Sequence, residues 1–212
     1  MTAAPTIACA LAVAGMLLAK RRGWSGGADG AKGLASGAFV WAGLAWGLRE
    51  SVPGRFALAG LVLCAVGDVL LIAPGAGGAF LAGMGAFALG HAAYAAACLA
   101  LGVDRRALAI GACVALPALV GTWRWLGPRV PKPLRASVLA YTSVVLAMAL
   151  LACAATAGGA ATLLAVGGVA FALSDLSVAR ERFVAATLAN VAWGLPLYYA
   201  AQLAIAASFA AQ

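Results

Sequence analysis

Charged residues and histidine are scarce in this chain of 212 residues, of which 9% are charged and one is a histidine. Soluble domains carry about 25% charged residues, so this composition excludes an ordinary water-soluble fold. The hydrophobic share of 65% instead fits a helix bundle whose outer faces contact lipid. A catalytic zinc usually needs three protein ligands. With one histidine and no CxxC pair, we expect neither a metal nor a cofactor.

The net charge of +8 comes from small basic clusters at the ends of apolar runs, namely 20–22, 105–106 and 129–135. Clusters in these positions contact lipid headgroups and orient a membrane protein. They predict membrane lipids as partners and no nucleic acid.

Gly, Pro and charge clusters divide the chain into eight apolar segments, each about as long as a helix needs to cross the hydrocarbon core. We predict an all-α polytopic bundle that forms a single transmembrane domain over residues 1–212. Only small residues separate the sixth and seventh segments, so seven spans is the main alternative. The predicted spans run approximately over 4–20, 32–48, 55–73, 79–101, 106–123, 134–154, 159–179 and 187–209.

Positive charge is unevenly divided between the two sides of this bundle. Ten Lys and Arg residues fall in the odd-numbered connections and four on the opposite side. Cytoplasmic loops carry the excess of positive charge, so we expect both termini on the external side and a retained first helix. The location expected for this multi-pass protein is a bacterial inner (plasma) membrane. The ten are Lys20, Arg21, Arg22, Lys32, Arg124, Arg129, Lys132, Arg135, Arg180 and Arg182.

Two of the six acidic residues, Asp68 and Asp175, lie inside apolar runs. Placing a carboxylate in a transmembrane span costs about 2.5–3.5 kcal/mol, so each side chain is expected to face the bundle interior. Both lie about five residues before the predicted cytoplasmic end of their helices, or roughly 7–8 Å deep. We therefore predict a shared site in the cytoplasmic half.

Two carboxyl groups in one apolar cavity favour different protonation states, which provides an acid and a base together. Two alternatives remain open. The acids are also what a small proton-coupled transporter would use. They also suit a purely structural role, in which hydrogen bonds to backbone or to Ser174 hold helices together.

Further polar residues within the predicted spans are candidates for supporting the acids. His91 and Tyr94 are one helical turn apart and share a face of the fourth helix. Ser174 and His91 also suggest a serine hydrolase, although no Gly-x-Ser-x-Gly turn surrounds Ser174. The remaining candidates are Tyr141, Asn190, Tyr198 and Gln202.

Taken together, these residues form a set of motifs that resembles the YhhN family of lysoplasmalogenases. The matching motifs are Gly67-Asp68-Val69-Leu70-Leu71, Gly90-His91-x-x-Tyr94, Phe171-x-x-Ser174-Asp175 and Tyr198-Tyr199-Ala200-Ala201-Gln202. The resemblance covers the chain from about residue 32 onward.

The resemblance implies a membrane-embedded hydrolase that cleaves the vinyl ether bond of a lysoplasmalogen into a fatty aldehyde and a glycerophospho-alcohol. Protonation of the β-carbon and capture of the resulting cation by water need one acid and one base. We expect Asp68 and Asp175 to be catalytic, in an order that the sequence leaves open. His91, Tyr94, Ser174, Tyr141, Asn190 and Tyr198 are expected to support them. Gln202 and Lys32 are expected to contact the headgroup of a lysophospholipid from the bilayer.

Overall fold

The computed structural model of the chain describes residues 2–72 and 77–210. Over this part of the chain it contains eight α-helices and no strands, which confirms the predicted all-helical bundle. The helices are α1 (Ala4–Arg21), α2 (Ser25–Ala45), α3 (Val52–Leu70), α4 (Gly78–Leu101), α5 (Arg105–Leu126), α6 (Arg135–Ala157), α7 (Thr162–Phe183) and α8 (Leu188–Ala210).

Local signals place several of these helix ends. The Ser51 hydroxyl accepts a hydrogen bond from the Gly54 N–H and caps α3, and the Asp104 carboxylate caps α5 by accepting from the Ala107 N–H at 2.7 Å. A turn through Gly159, whose φ is +113°, separates α6 from α7. The two helices are therefore separate and do not merge, as the seven-span alternative required.

Six helices, α1 and α3 to α7, are long and apolar enough to cross a bilayer by themselves. The other two, α2 and α8, have 21 and 23 residues, which gives each about 32–35 Å of length. They are less apolar because they carry inward-facing polar side chains, including Lys32 and Ser36 on α2 and Tyr198 and Gln202 on α8. Polar residues inside a bundle mark functional positions.

Three helix hairpins are linked through α8. The pairs α1–α2, α3–α4 and α7–α8 make the most extensive contacts, and α8 also packs against α1, α2 and α3. Small residues permit the close approach of α3 and α4: a Cβ at Gly67 would lie 2.6 Å from the Phe87 ring, and one at Gly90 would lie 2.7 Å from Cys64 Sγ. In contrast, α5 packs mainly against α6 and stands at the outside.

Two details of the sequence-based picture need correction. The second helix starts at Ser25 and not at about residue 32. Residues 25–31 are mostly small and have low hydropathy, but they extend the helix toward its N-terminus. Lys32, predicted at the first position of the second span and counted with the preceding connection, therefore lies well within α2. All five cysteines fall in apolar stretches of the sequence, which predicts buried positions, but Cys113 and Cys153 are exposed, while Cys9, Cys64 and Cys98 are buried.

Candidate active site

A cavity of about 700 Å³ lies at one end of the bundle and has lining residues from all eight helices. Its lining comes mostly from the C-terminal halves of the odd-numbered helices and the N-terminal halves of the even-numbered ones. In an up-and-down bundle these halves lie at the same end. Both Asp68 and Asp175 line the cavity, among largely apolar walls that include Leu71, Met84 and Phe87.

The helix ends near the two acids differ from those predicted. The observed α3 ends two residues after Asp68, whereas α7 continues for eight residues after Asp175, so the distances to the helix ends are about 3 Å and 12 Å. The prediction that Asp68 and Asp175 lie at the same depth, counted along their helices, is therefore wrong. The two side chains still share the cavity.

Asp68 is surrounded by hydrogen-bond donors and one cation. The Lys32 ammonium lies 3.3 Å from Oδ1. The Ser36 hydroxyl and the Tyr198 hydroxyl donate to Oδ2 at 2.7 and 2.8 Å. The Ser36 hydroxyl also lies 3.0 Å from the Lys32 carbonyl, but the shorter bond to a charged acceptor is the stronger one. These surroundings stabilise Asp68 as a carboxylate.

Two further residues, Gln202 and Tyr94, extend the hydrogen bonds of Tyr198 into the bundle core. The Gln202 amide donates to the Tyr198 hydroxyl at 3.0 Å, and the Tyr94 hydroxyl donates to the Gln202 carbonyl oxygen at 2.5 Å. Gln202 is fully buried and does not line the cavity. The structure therefore gives it polar partners in the core and no position facing a headgroup.

Asp175 has a different set of neighbours. The Tyr141 hydroxyl donates to Oδ2 at 3.0 Å, and His91 Nε2 lies 3.4 Å from the same oxygen and 3.4 Å from the Tyr141 hydroxyl. Within residues 2–72 and 77–210, no side chain or backbone group donates to Oδ1. The Asp175 side chain is 17% exposed, against 5% for Asp68, so Asp175 is the more accessible acid.

His91 is fully buried beside this second acid. Its Nδ1 atom has no hydrogen-bond partner among the residues that the structure describes, so the proton is assigned to Nε2, which faces Asp175 and Tyr141. The Phe171 ring packs edge-to-face on the imidazole with the ring centroids 4.4 Å apart. This contact fixes the imidazole plane.

Phe171 also joins the two acid neighbourhoods. Its ring lies 4.4 Å from the His91 ring, on the Asp175 side, and 5.2 Å from the Tyr198 ring, on the Asp68 side, both in edge-to-face geometry. The motif Phe171-x-x-Ser174-Asp175 includes this residue, but nothing in the sequence indicates that its ring contacts His91 and Tyr198.

Ser174 and Asn190 have partners outside the acid neighbourhoods. The Ser174 hydroxyl donates to the Phe171 carbonyl at 2.7 Å, within its own helix. The Asn190 amide donates to the Glu181 carboxylate at 3.0 Å and to the Ala185 carbonyl at 2.7 Å, at the connection between α7 and α8. Both residues therefore make local structural contacts. In the described part of the chain, no hydrogen bond joins Ser174 to His91.

Ser36 is the contact to Asp68 that sequence reasoning missed. It lies four residues after Lys32, one turn further along the same helix face, and this spacing was the available signal. No group of three or more His, Cys, Asp or Glu residues able to hold a metal ion occurs in the part of the chain that the structure describes. The site therefore consists of organic acid, hydroxyl, imidazole and ammonium groups.

These features define the class of the protein: a multi-pass helical membrane protein with two differently surrounded carboxyl groups in one largely apolar cavity. The chain belongs to the YhhN family, whose model matches residues 31–209.

Two curated relatives, from Mycobacterium bovis and Mycobacterium tuberculosis, carry the name lysoplasmalogenase. Each is 34% identical to this chain over 165 residues, which cover 73% of the chain and 60% of the relative. The chain thus matches about three-fifths of the length of these relatives. No solved structure matches the chain significantly.

Proposed function

We propose that this protein hydrolyses the vinyl ether bond of lysoplasmalogens, the alkenyl glycerophospho-ethanolamines and -cholines, and releases a fatty aldehyde and a glycerophospho-alcohol. The observation that supports this most is the placement of both intramembrane acids in one largely apolar cavity. The name of the two relatives supports the same chemistry.

The different surroundings of the acids support a division of roles. Asp68, held by Lys32, Ser36 and Tyr198, acts as the carboxylate base. Asp175, which is more accessible and has one oxygen free of described partners, acts as the proton donor. The contacts of Asp175 with Tyr141 and His91 orient its carboxyl group toward the cavity.

The reaction then runs in three balanced steps. Asp175 gives its proton to the β-carbon, and the π electrons of the double bond form the new C–H bond, which leaves a cation shared by the α-carbon and the ether oxygen. Water adds to the α-carbon and loses a proton to Asp68, giving a hemiacetal. The bond to the glycerol oxygen breaks as Asp68 returns its proton to that oxygen, and Asp175 takes the hemiacetal proton. Both acids regain their starting states.

The one-ended cavity supports hydrolysis over proton-coupled transport. A transporter needs an aqueous path from both sides, but the lining of this cavity comes from one end of the helices. Deeper side chains, including Gln202 and Ile205, are fully buried. We place the cavity on the cytoplasmic side of a bacterial inner membrane, with both termini outside. A reporter that is active only outside this membrane, fused to the C-terminus, tests that orientation.

The test of the activity compares matched lipids. Purified protein in detergent is incubated with alkenyl- and ester-linked lysophospholipids of the same headgroup and chain length, and free aldehyde is measured by mass spectrometry. We expect aldehyde from the alkenyl lipid alone. In D₂O the aldehyde should carry one deuterium on the carbon next to the carbonyl, because the acid delivers a solvent-derived proton there. An absence of aldehyde, with proton-linked uptake of a solute into proteoliposomes, would favour the transporter.

A further inference from the structure

The Asp68 carboxylate terminates a chain of hydrogen bonds that begins outside the cavity. The Tyr94 hydroxyl donates to the Gln202 carbonyl oxygen at 2.5 Å, the Gln202 amide donates to the Tyr198 hydroxyl at 3.0 Å, and Tyr198 donates to Asp68 at 2.8 Å. Tyr94 and Gln202 are 1% and 0% exposed, and neither lines the cavity. Neither therefore contacts a molecule bound there.

The chemistry of the groups sets the direction of this chain. A carboxylate only accepts hydrogen bonds, so the single proton of the Tyr198 hydroxyl points to Asp68. The tyrosine oxygen must then accept from its other neighbour, and of the two ends of the Gln202 amide only the NH₂ group donates. The carbonyl end of Gln202 consequently faces Tyr94, whose hydroxyl supplies the matching donor.

Such an aligned chain strengthens its last bond, because each hydrogen bond polarises the next. If Gln202 turned over, its carbonyl oxygen would face Tyr198 and compete with Asp68 for the same proton. The Tyr94 hydroxyl opposes this, because its own proton would lose the carbonyl acceptor if the NH₂ group turned toward it. Close packing holds Tyr94 in place, since a Cβ at Gly60 on α3 would collide with the Tyr94 ring.

We propose that Tyr94 and Gln202 are positioning residues that keep Tyr198 as a committed donor to Asp68, and so keep Asp68 ionised as the base of the reaction. This inference rests on the proposed function and deepens it. It also replaces the expected contact of Gln202 with the lipid headgroup.

A double-mutant cycle tests this proposal in purified protein with alkenyl lysophospholipid as substrate. Tyr94→Phe keeps the ring against Gly60 and removes only the first hydroxyl. We expect kcat to fall about five- to tenfold with KM unchanged, because Tyr94 acts through Tyr198 and not on substrate. In a Tyr198→Phe background, the further loss caused by Tyr94→Phe should be less than twofold, because the chain is already broken at its last bond.

Gln202→Met provides a second route if Tyr94→Phe does not fold, and we expect the same pattern of non-additive losses. Ser208→Ala is the matched control. Ser208 is also buried on α8, but its hydroxyl donates to the Ala204 carbonyl within the helix, so its removal should leave kcat within twofold of the parent.

The outcomes separate this inference from the proposed function. If the parent protein releases no aldehyde from alkenyl lipid, the proposed function is wrong. If the parent is active but Tyr94→Phe causes the same fold loss with and without the Tyr198 hydroxyl, or raises KM alone, the positioning role is overturned while the hydrolase stands.

Discussion

Two acid neighbourhoods share one cavity but differ in construction. Asp68 has an ammonium group and two hydroxyl donors and is 5% exposed, whereas Asp175 has one hydroxyl and an imidazole, both at the same oxygen, and is 17% exposed. The ammonium group and the two hydroxyl groups stabilise a negative charge on Asp68. The partners of Asp175 leave an oxygen available to the cavity. Two identical side chains in one cavity thus acquire different chemical environments from their neighbours.

Loss of either carboxyl group should have the largest effect on activity, because only one of the two acids would remain. We expect Asp68→Asn and Asp175→Asn each to lower the rate of aldehyde release on the order of 10³-fold, because each removes one proton-transfer group. Rates are measured with purified variants that elute as a single species. Asp104→Asn is the control, because Asn also caps the N-terminus of α5. Retained turnover in both site variants would refute the assignment.

The ion pair between Lys32 and Asp68 can be tested through the stability of the protein. Lys32→Met leaves the Asp68 charge buried without its counter-charge, and we expect it to lower the free energy of unfolding in detergent by about 3 kcal/mol. The double variant Lys32→Met with Asp68→Asn should recover most of that loss, because no lone charge remains. Unfolding is followed by circular dichroism. An equally unstable double variant would mean that Lys32 acts through packing and not through the ion pair.

Removing the hydroxyl beside the second acid should have a moderate effect. Tyr141→Phe deletes the donor that orients Asp175, and we expect kcat for aldehyde release to fall by up to about tenfold, since a hydrogen bond between neutral groups contributes about 0.5–1.5 kcal/mol. Ser143→Ala, on the same helix, removes a hydroxyl that is bonded to the Leu139 carbonyl and serves as the control. An unchanged kcat in Tyr141→Phe would show that Asp175 is positioned without this contact.

Removing the serine next to Asp175 should have the smallest effect. The Ser174 hydroxyl donates within its own helix, so Ser174→Ala is expected to change the aldehyde-release rate by no more than about twofold. The same assay measures it. A loss of a hundredfold or more would instead point to a nucleophilic serine and would place the chemistry outside the acid pair.

The sequence was most informative where a polar residue interrupts an apolar run. Asp68, Asp175, His91 and Tyr141 were found in this way, because a bilayer penalises such residues unless they face inward. The number of helices followed from the lengths of the apolar runs between glycines, prolines and charges.

What the sequence could not reveal depends on packing between helices. Hydropathy puts Lys32 at the first residue of the second span, whereas backbone hydrogen bonds begin that helix at Ser25. The partners of Gln202 come from α4 and from its own helix, and no spacing in the sequence brings Tyr94 to it. The sequence motif contains Phe171, but only the structure shows that its ring contacts both acid neighbourhoods.

The one-ended cavity has a consequence for the membrane as a whole. With the proposed activity, a lipid in the leaflet away from the cavity would reach the two acids only after crossing the bilayer, so cleavage would remove lipid from the two leaflets at different rates. The two products would also separate. The aldehyde would remain dissolved among the lipid tails, while the water-soluble glycerophospho-alcohol would diffuse into the adjoining aqueous compartment. Transbilayer lipid movement would then limit how completely a membrane is cleared of such lipids.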